Sequence, residues 1–262
     1  MFQSEAFAEK HVLITGGGTG IGRHLAEAFA DHGAHVGIAA RREDPLIETC
    51  RGIEADGGAA DWRTLDVRDE DRVDAVVAEF WDEWGGIDVL INNAGANFIS
   101  PALGISANGW RTVIDINLTG SFLMSKAVGR RMVAGGEGGR IINMSATNAR
   151  GGSPMIAHSG ASKAGINSLT ESLAVEWGAA GVTVNAILPG PVRTEGSDKR
   201  LWTDEDLVES MEARIPLGRF GRPEDIAPLA LFLASDAAGF ITGALIPCDG
   251  GDALRSPQFG TG

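Results

Sequence analysis

Short apolar runs alternate along the chain with longer stretches in which apolar residues recur every three or four positions. The run at 11–16 (HVLITG) has the pattern of a short buried strand. It leads into 21–32, where Leu25, Ala28 and Phe29 share helical spacing and Gly33 ends the pattern. The same reading predicts strands at 34–40, about 60–65, 87–92, 140–145 and over VTVNAIL, ending at Pro189. Helices are predicted at about 44–55, 69–84, 107–133 and 155–180. The run at 87–92 (IDVLIN) is almost wholly apolar, as in a parallel strand covered on both faces. Strands alternating with helices imply right-handed crossovers and an α/β fold: one doubly wound parallel sheet with helices on both faces.

No Pro/Ser-rich linker or internal repeat divides the run, so residues 1–262 are read as one domain. The irregular stretch is 190–203, followed by a helical segment at 204–214 that is polar on one side. It lies past a strand's carboxyl end, where open α/β sheets bind ligands. It is therefore read as a substrate lid, with a plain surface insertion as the alternative. Composition narrows the classes. With 44% hydrophobic residues the chain can bury a sizeable core. A formal net charge of −13 argues against a nucleic-acid surface. No stretch is long and apolar enough to span a membrane, and no signal-length apolar run precedes the first strand. Cys50 and Cys248 offer no disulfide framework, so a cytoplasmic protein is expected. No His, Cys, Asp or Glu grouping has metal-ligand spacing, and no metal is expected.

The chemistry begins at the first strand–helix turn. Gly16 permits a tight turn, Gly20 lets backbone approach a pyrophosphate, and Gly22 allows close helix–strand packing. Thr19 and Ile21 flank these glycines, and the helix starting near Ile21 offers free N–H groups and a positive dipole end. After the second strand stand Arg41 and Arg42, where a carboxylate would hold a ribose 2′-hydroxyl. A guanidinium suits a 2′-phosphate, so NADPH (NADP) is the expected cofactor. Glu43, one residue on, keeps NADH as the alternative.

TGGGTGIG (15–22), NNAG (92–95) and HSGASKAG (158–165) together resemble the short-chain dehydrogenase/reductase family, over about residues 9–252. The resemblance implies a Rossmann-type sheet and a set of roles. Asp66 and Val67 would contact adenine, and Asn93, Ala94 and Gly95 would wall the adenosine side. Pro189, Gly190 and Val192 would also border the cofactor. Asn117 would buttress a bend in the active-site helix, and Lys163 would hold the nicotinamide ribose. Asp249-Gly250-Gly251 looks like a C-terminal turn at a subunit interface, implying a homotetramer.

The family's tyrosine, four residues before the lysine, is replaced here by Ser159, and the chain contains no tyrosine. The supporting serine falls at Ala146, and its neighbour Ser145 should point to the opposite face. Carbonyl reduction needs a proton delivered on the spot, whereas conjugate reduction moves the charge to a more distant oxygen and needs hydrogen-bond donors there. NNAGANFISP, ISANGWRTVID, PGPVRTEG and ARIPLGRFGRPEDIA are similar to 2,4-dienoyl-CoA reductases, and HSGASKAG also to trans-2-enoyl-CoA reductases. That resemblance places Asn148 in the slot of an upstream catalytic tyrosine and Thr119 in that of a catalytic asparagine. An unsaturated acyl thioester is the implied substrate, with the carrier left open.

Asn97, Phe98 and Ser100 either line the acyl pocket or pack a loop. His158 is read as a packing or surface residue, turned off the Ser159–Lys163 face. Trp81 and Trp84 are read as packing a helix on the sheet. Arg193 and Lys199 are either contacts for CoA phosphates or solvated charges. A carbonyl reductase with an atypical acid, and a catalytically silent nucleotide-binding protein, remain as alternatives.

Overall fold

The computed structural model describes residues 5–198 and 204–254. Seven strands, β1 (His11–Thr15), β2 (His35–Ala40), β3 (Ala59–Thr64), β4 (Val89–Asn92), β5 (Gly139–Met144), β6 (Val182–Pro189) and β7 (Leu245–Cys248), form one sheet. Their order is β3-β2-β1-β4-β5-β6-β7, and every neighbouring pair is parallel. The order reverses between β1 and β4, which opens a crevice at the carboxyl edge of those strands.

Helices α1 (Gly20–Ala30), α2 (Glu43–Ala55) and α3 (Glu70–Trp84) cover the first half of the sheet. Next come α4 (Ala107–Ile114), α5 (Gly120–Gly135), α6 (Ala157–Trp177), the short α7 (Glu195–Asp198), α8 (Glu205–Glu212) and α9 (Pro223–Ala234). The period-two pleat divides the core between two faces. Val12 and Ile14 pack with Leu25 and Phe29 of α1, Leu46 of α2 and Leu231 of α9. Leu13, between them, packs with Phe80 of α3, Met124 of α5 and Leu173 of α6. Burying each such side chain contributes roughly 1.5–3 kcal/mol. Trp84 packs as expected, over Phe80 and against His11 and His35.

The structure departs from the sequence reading at three places that shape the site. The helix predicted at 107–133 is two helices joined by a π-helical turn, Asp115–Thr119. One extra residue per turn does not disturb apolar spacing enough to be seen in sequence, yet it re-aims Asn117. The helix predicted from 155 starts at Ala157, because Met155 holds a left-handed φ of 69°. Helix α9 was not predicted; Pro223 suits its first turn, but Pro228 inside it masks the pattern.

The segment read as a lid carries α7 and α8, and Val208 of α8 forms a small cluster with Ile215 and Phe220 just beyond the segment, apart from the two main cores. It is tied to the sheet side by a bridge between Val192 and Gly221. Lys199 lies outside the described residues.

Candidate active site

The first turn is built from backbone and glycine. Gly16 (φ 70°) and Gly20 (φ 57°) adopt conformations that suit glycine. A methyl on Gly22 would collide with the Gly16 carbonyl and the Asn93 amide, so α1 sits hard against the turn. Thr15 Oγ1 accepts the N–H groups of Asn93 and Ala94, both at 3.0 Å. Asn93 Nδ2 in turn donates to Thr15 O at 2.9 Å and Gly16 O at 3.3 Å. These bonds lash the turn after β1 to the turn after β4, across the point of strand reversal. Thr19 is exposed at the N-cap without a side-chain cap bond, and no acidic residue occupies the first turn of α1. Its N–H groups and dipole end therefore remain available to an anion.

In front of this turn lies a cleft of about 550 Å³. Gly16, Thr19, Gly20, Arg41, Arg42, Asp66, Val67, Ala94 and Gly95 line it. Gly22 and Asn93 stand behind the lining as packing, and Ile21, Lys163, Pro189, Gly190 and Val192 are also outside it. Sequence reasoning missed Thr194 on the opposite wall; a methyl on Gly20 would stand 3.4 Å from its side chain. Its only signal was its place in the PGPVRT run after β6. Arg41 and Arg42 are exposed and make no ion pair among the described residues. Asp66 is bound by Arg68, whose Nε lies 2.9 Å from Asp66 Oδ1. That bonding holds the Asp66 carboxyl below its usual range, and the nearby Arg41 charge acts in the same direction. A broader groove of about 680 Å³ runs along edge strand β3, lined by α2 and Arg72. Its Arg63 and Arg72 are committed to Glu79.

The second half of the site is assembled by α4–α6 and the loop after β4. Asn117, buried in the π turn, accepts from Ala96 N at 2.7 Å and donates to Ala96 O at 3.1 Å and Ser162 Oγ at 2.9 Å. Its side chain is thus spent on joining the loop to α6. Lys163 Nζ donates to Met144 O at the end of β5, at 2.6 Å. A methyl on Gly95 would stand 3.9 Å from that Nζ and 3.5 Å from Asn117 Oδ1, so lysine, asparagine and the NNAG turn converge. Burial pushes the Lys163 ammonium down to about 8.

Ser159 is buried one turn before Lys163. Ser145 donates to the Lys163 carbonyl at 3.2 Å, a role in holding α6 on β5. Asn148 lies in a short 3₁₀ turn, Thr147–Ala149, with its Oδ1 buried and without a hydrogen-bond partner among the described residues. Its backbone carbonyl lies 3.5 Å from where a methyl on Gly160 would be, so this turn packs on the start of α6. His158 is fully buried, not on the surface, and its ring lies 4.1 Å from that of Phe98. Phe98 is half-exposed, Asn97 is exposed with its Oδ1 accepting Phe98 N, and Ser100 N donates to Met155 O at 2.8 Å. Arg193 pairs with Asp198 at 3.2 Å. Among the described residues no group of His, Cys, Asp and Glu is arranged to hold a metal, and no helix is long and apolar enough to cross a membrane.

Comparison with known proteins agrees with this layout. The sequence profile described as enoyl-(acyl carrier protein) reductase matches residues 16–252. A Bacillus subtilis (strain 168) protein named "Probable 2,4-dienoyl-CoA reductase" is 41% identical over 252 residues, covering 96% of this chain and 99% of its own. A short chain dehydrogenase from Bacillus anthracis superimposes with a TM-score of 0.86 at 42% identity, covering 96% of this chain and 99% of that one. A gluconate 5-dehydrogenase from Burkholderia cenocepacia J2315, solved with NADP and tartrate, gives a TM-score of 0.91 at 33% identity, covering 97% and 99%. The profile match over most of the chain and these relatives show that the chain is a member of the short-chain dehydrogenase/reductase family.

Proposed function

We propose that this protein is an NADPH-dependent reductase of a conjugated C=C bond in an unsaturated acyl thioester, such as a 2,4-dienoyl-CoA or 2-enoyl-CoA. The observation that carries the reading is the company Lys163 keeps. A lysine set for a nicotinamide ribose has Ser159 on the preceding turn, in a chain without any phenol. The 41% identical relative named as a dienoyl-CoA reductase supports the same chemistry. The gluconate dehydrogenase, which resembles the chain less in sequence, supports the cofactor class.

The residues fit a phosphorylated dinucleotide. The space before α1 is kept clear by Gly20, uncapped N–H groups face it, and Arg41 and Arg42 carry free guanidinium groups at the end of β2. The bound nicotinamide supplies a hydride. Everything else falls to this chain. Lys163, anchored on Met144 O, presents its remaining protons to a ribose hydroxyl, and Asn117 fixes the loop that carries Gly95. Ser159 and the Asn148 amide supply neutral donors to the oxygen on which enolate charge gathers. Neither is an acid of phenol strength (about 10 for tyrosine), and none is demanded there, because the enolate formed by hydride addition takes its proton on carbon, from water.

Following NADPH consumption with 2,4-dienoyl-CoA, 2-enoyl-CoA and a simple ketone tests the reading. Turnover of a conjugated thioester is expected. Silence with both thioesters and turnover of the ketone overturns it in favour of a carbonyl reductase; NADPH binding with no turnover at all points to a silent homologue.

A further inference from the structure

One polar side chain beside the site has no structural explanation. His158 has no solvent exposure; the Phe98 backbone lies within reach of the ring, but neither Nδ1 nor Nε2 makes a well-formed hydrogen bond among the described residues. An imidazole always carries at least one N–H donor, and leaving such a group desolvated without a well-formed bond is destabilising. A packing role alone would be served better by leucine or phenylalanine. Burial pushes the ring below its usual pKa, outweighing the Phe98 backbone, which acts in the opposite direction, and so favours the neutral ring with one N–H and one lone pair.

The surroundings hold this ring in place. Its open face stacks on Phe98, at 4.1 Å and 31°. Phe98 is confined on its other side by α4, where a methyl on Gly109 would stand 3.1 Å from the Phe98 ring. The backbone entering α6 is strained at Met155 (φ 69°), and its carbonyl is clasped by Ser100 N at 2.8 Å. Left-handed backbone at a non-glycine residue persists where the surroundings enforce it, and such positions gather at functional sites. That clasp sets the start of α6 and so the position of His158 against the loop 97–100. At the N-cap, Ile156 provides no side-chain cap, which adds an unopposed positive dipole end beside the imidazole.

We propose that His158 is a catalytic residue: with Phe98 turned aside by the entering acyl chain, an imidazole N–H donates to the thioester carbonyl oxygen of the substrate. This rests on the conjugate-reductase reading above. The neutral ring stabilises the enolate oxygen without giving up its proton, as a preorganised donor in a dry site does. Phe98, half-exposed and seated on the ring, is the gate, and its displacement exchanges one covering for another rather than exposing the imidazole to water.

Three proteins settle the matter: wild type, His158→Phe and His158→Gln. His158→Phe keeps the flat ring and removes both nitrogens; His158→Gln restores an N–H donor. For His158→Phe we expect an unchanged or raised thermal midpoint and an unchanged NADPH Kd. Its kcat on a 2,4-dienoyl-CoA should fall roughly hundredfold, the range for one lost oxyanion donor. His158→Gln should recover part of that kcat. In wild type, the 15N imidazole signal of His158 should shift when a saturated acyl-CoA is added with NADP+. His158→Phe turning over like wild type overturns the assignment and leaves the reductase reading intact. If both variants fail to fold, the wild-type 15N experiment decides, and an unmoved His158 signal overturns it. Wild type silent on conjugated thioesters sinks the reductase reading itself, and this assignment with it.

Discussion

The turn after β1 and the start of α6 lie at the same edge of the sheet and are built on opposite terms. In the first, the polar groups of Thr15 and Asn93 are bonded within the protein, and what remains open is a set of backbone N–H groups around glycines. In the second, polar side chains are buried and left short: neither His158 nitrogen makes a well-formed hydrogen bond among the described residues, and Met155 is strained. A site for an invariant polyphosphate can be satisfied in advance by backbone. A site that stabilises charge only as it develops must hold donors back. Lys163, at the junction of the two, is anchored to Met144 O and faces the NNAG turn.

The largest way to break this contrast is Lys163→Ala, which removes the group shared by both halves. We expect kcat/KM to fall roughly 10²–10⁴-fold, with weaker NADPH binding, read by steady-state kinetics and fluorescence titration. A loss confined to kcat would place the lysine in the α6 half alone.

Next is the charge state of that lysine. Burial lowers the Lys163 pKa to about 8, against about 10.4 for a free lysine. The ammonium is present below this value and lost above it, so turnover should decline as pH rises through about 8. Between the two values the unfolded chain binds more protons at this group than the folded one, so its contribution to stability increases with pH across that window. The chain has four lysines, Lys10, Lys126, Lys163 and Lys199, so 13C-methyl labelling resolves them by NMR. Lys163 titrating at about 10.4 would refute the claim.

Replacing Arg41 and Arg42 together by alanine probes the glycine-turn half alone. Losing charge-assisted bonds worth about 1.5–3 kcal/mol should weaken NADPH binding roughly ten- to hundredfold and leave NADH binding nearly unchanged. Equal loss for both nucleotides would contradict a role in reading the 2′-phosphate.

The smallest effect concerns the join. Asn117→Ala strands the Ala96 backbone groups and leaves Ser162 Oγ only its bond to Ser159 O, costing about 1–3 kcal/mol, read as a lowered denaturation midpoint. With Asn117 a positioning residue, kcat should fall while the pH limb stays in place; a shifted limb would mean direct contact with the reacting groups.

How far these halves could be read in the sequence follows the same division. The glycine turn was legible because each glycine answers a local backbone demand, and apolar runs such as IDVLIN mark strands that must be covered on both sides. The α6 half was legible only as residue types. Asn117 was placed at a bend, but the π turn that makes it is invisible to periodicity. His158 was placed off the Ser159–Lys163 face, yet sequence spacing cannot show that Phe98, sixty residues earlier, buries it. Thr194 went unnoticed because its importance comes from facing Gly20 across the cleft, a relation created by the fold.

The central claim is that hydride is delivered to an alkene carbon because the site holds neutral donors and no phenol. Incubating the enzyme with a 2,4-dienoyl-CoA and NADPH deuterated at nicotinamide C4, then locating the label by mass spectrometry and NMR, tests it directly. The account predicts deuterium on a carbon of the former conjugated C=C system, with the thioester carbonyl intact. The dienoyl thioester returned unlabelled, or labelled at the former thioester carbonyl carbon, would contradict it.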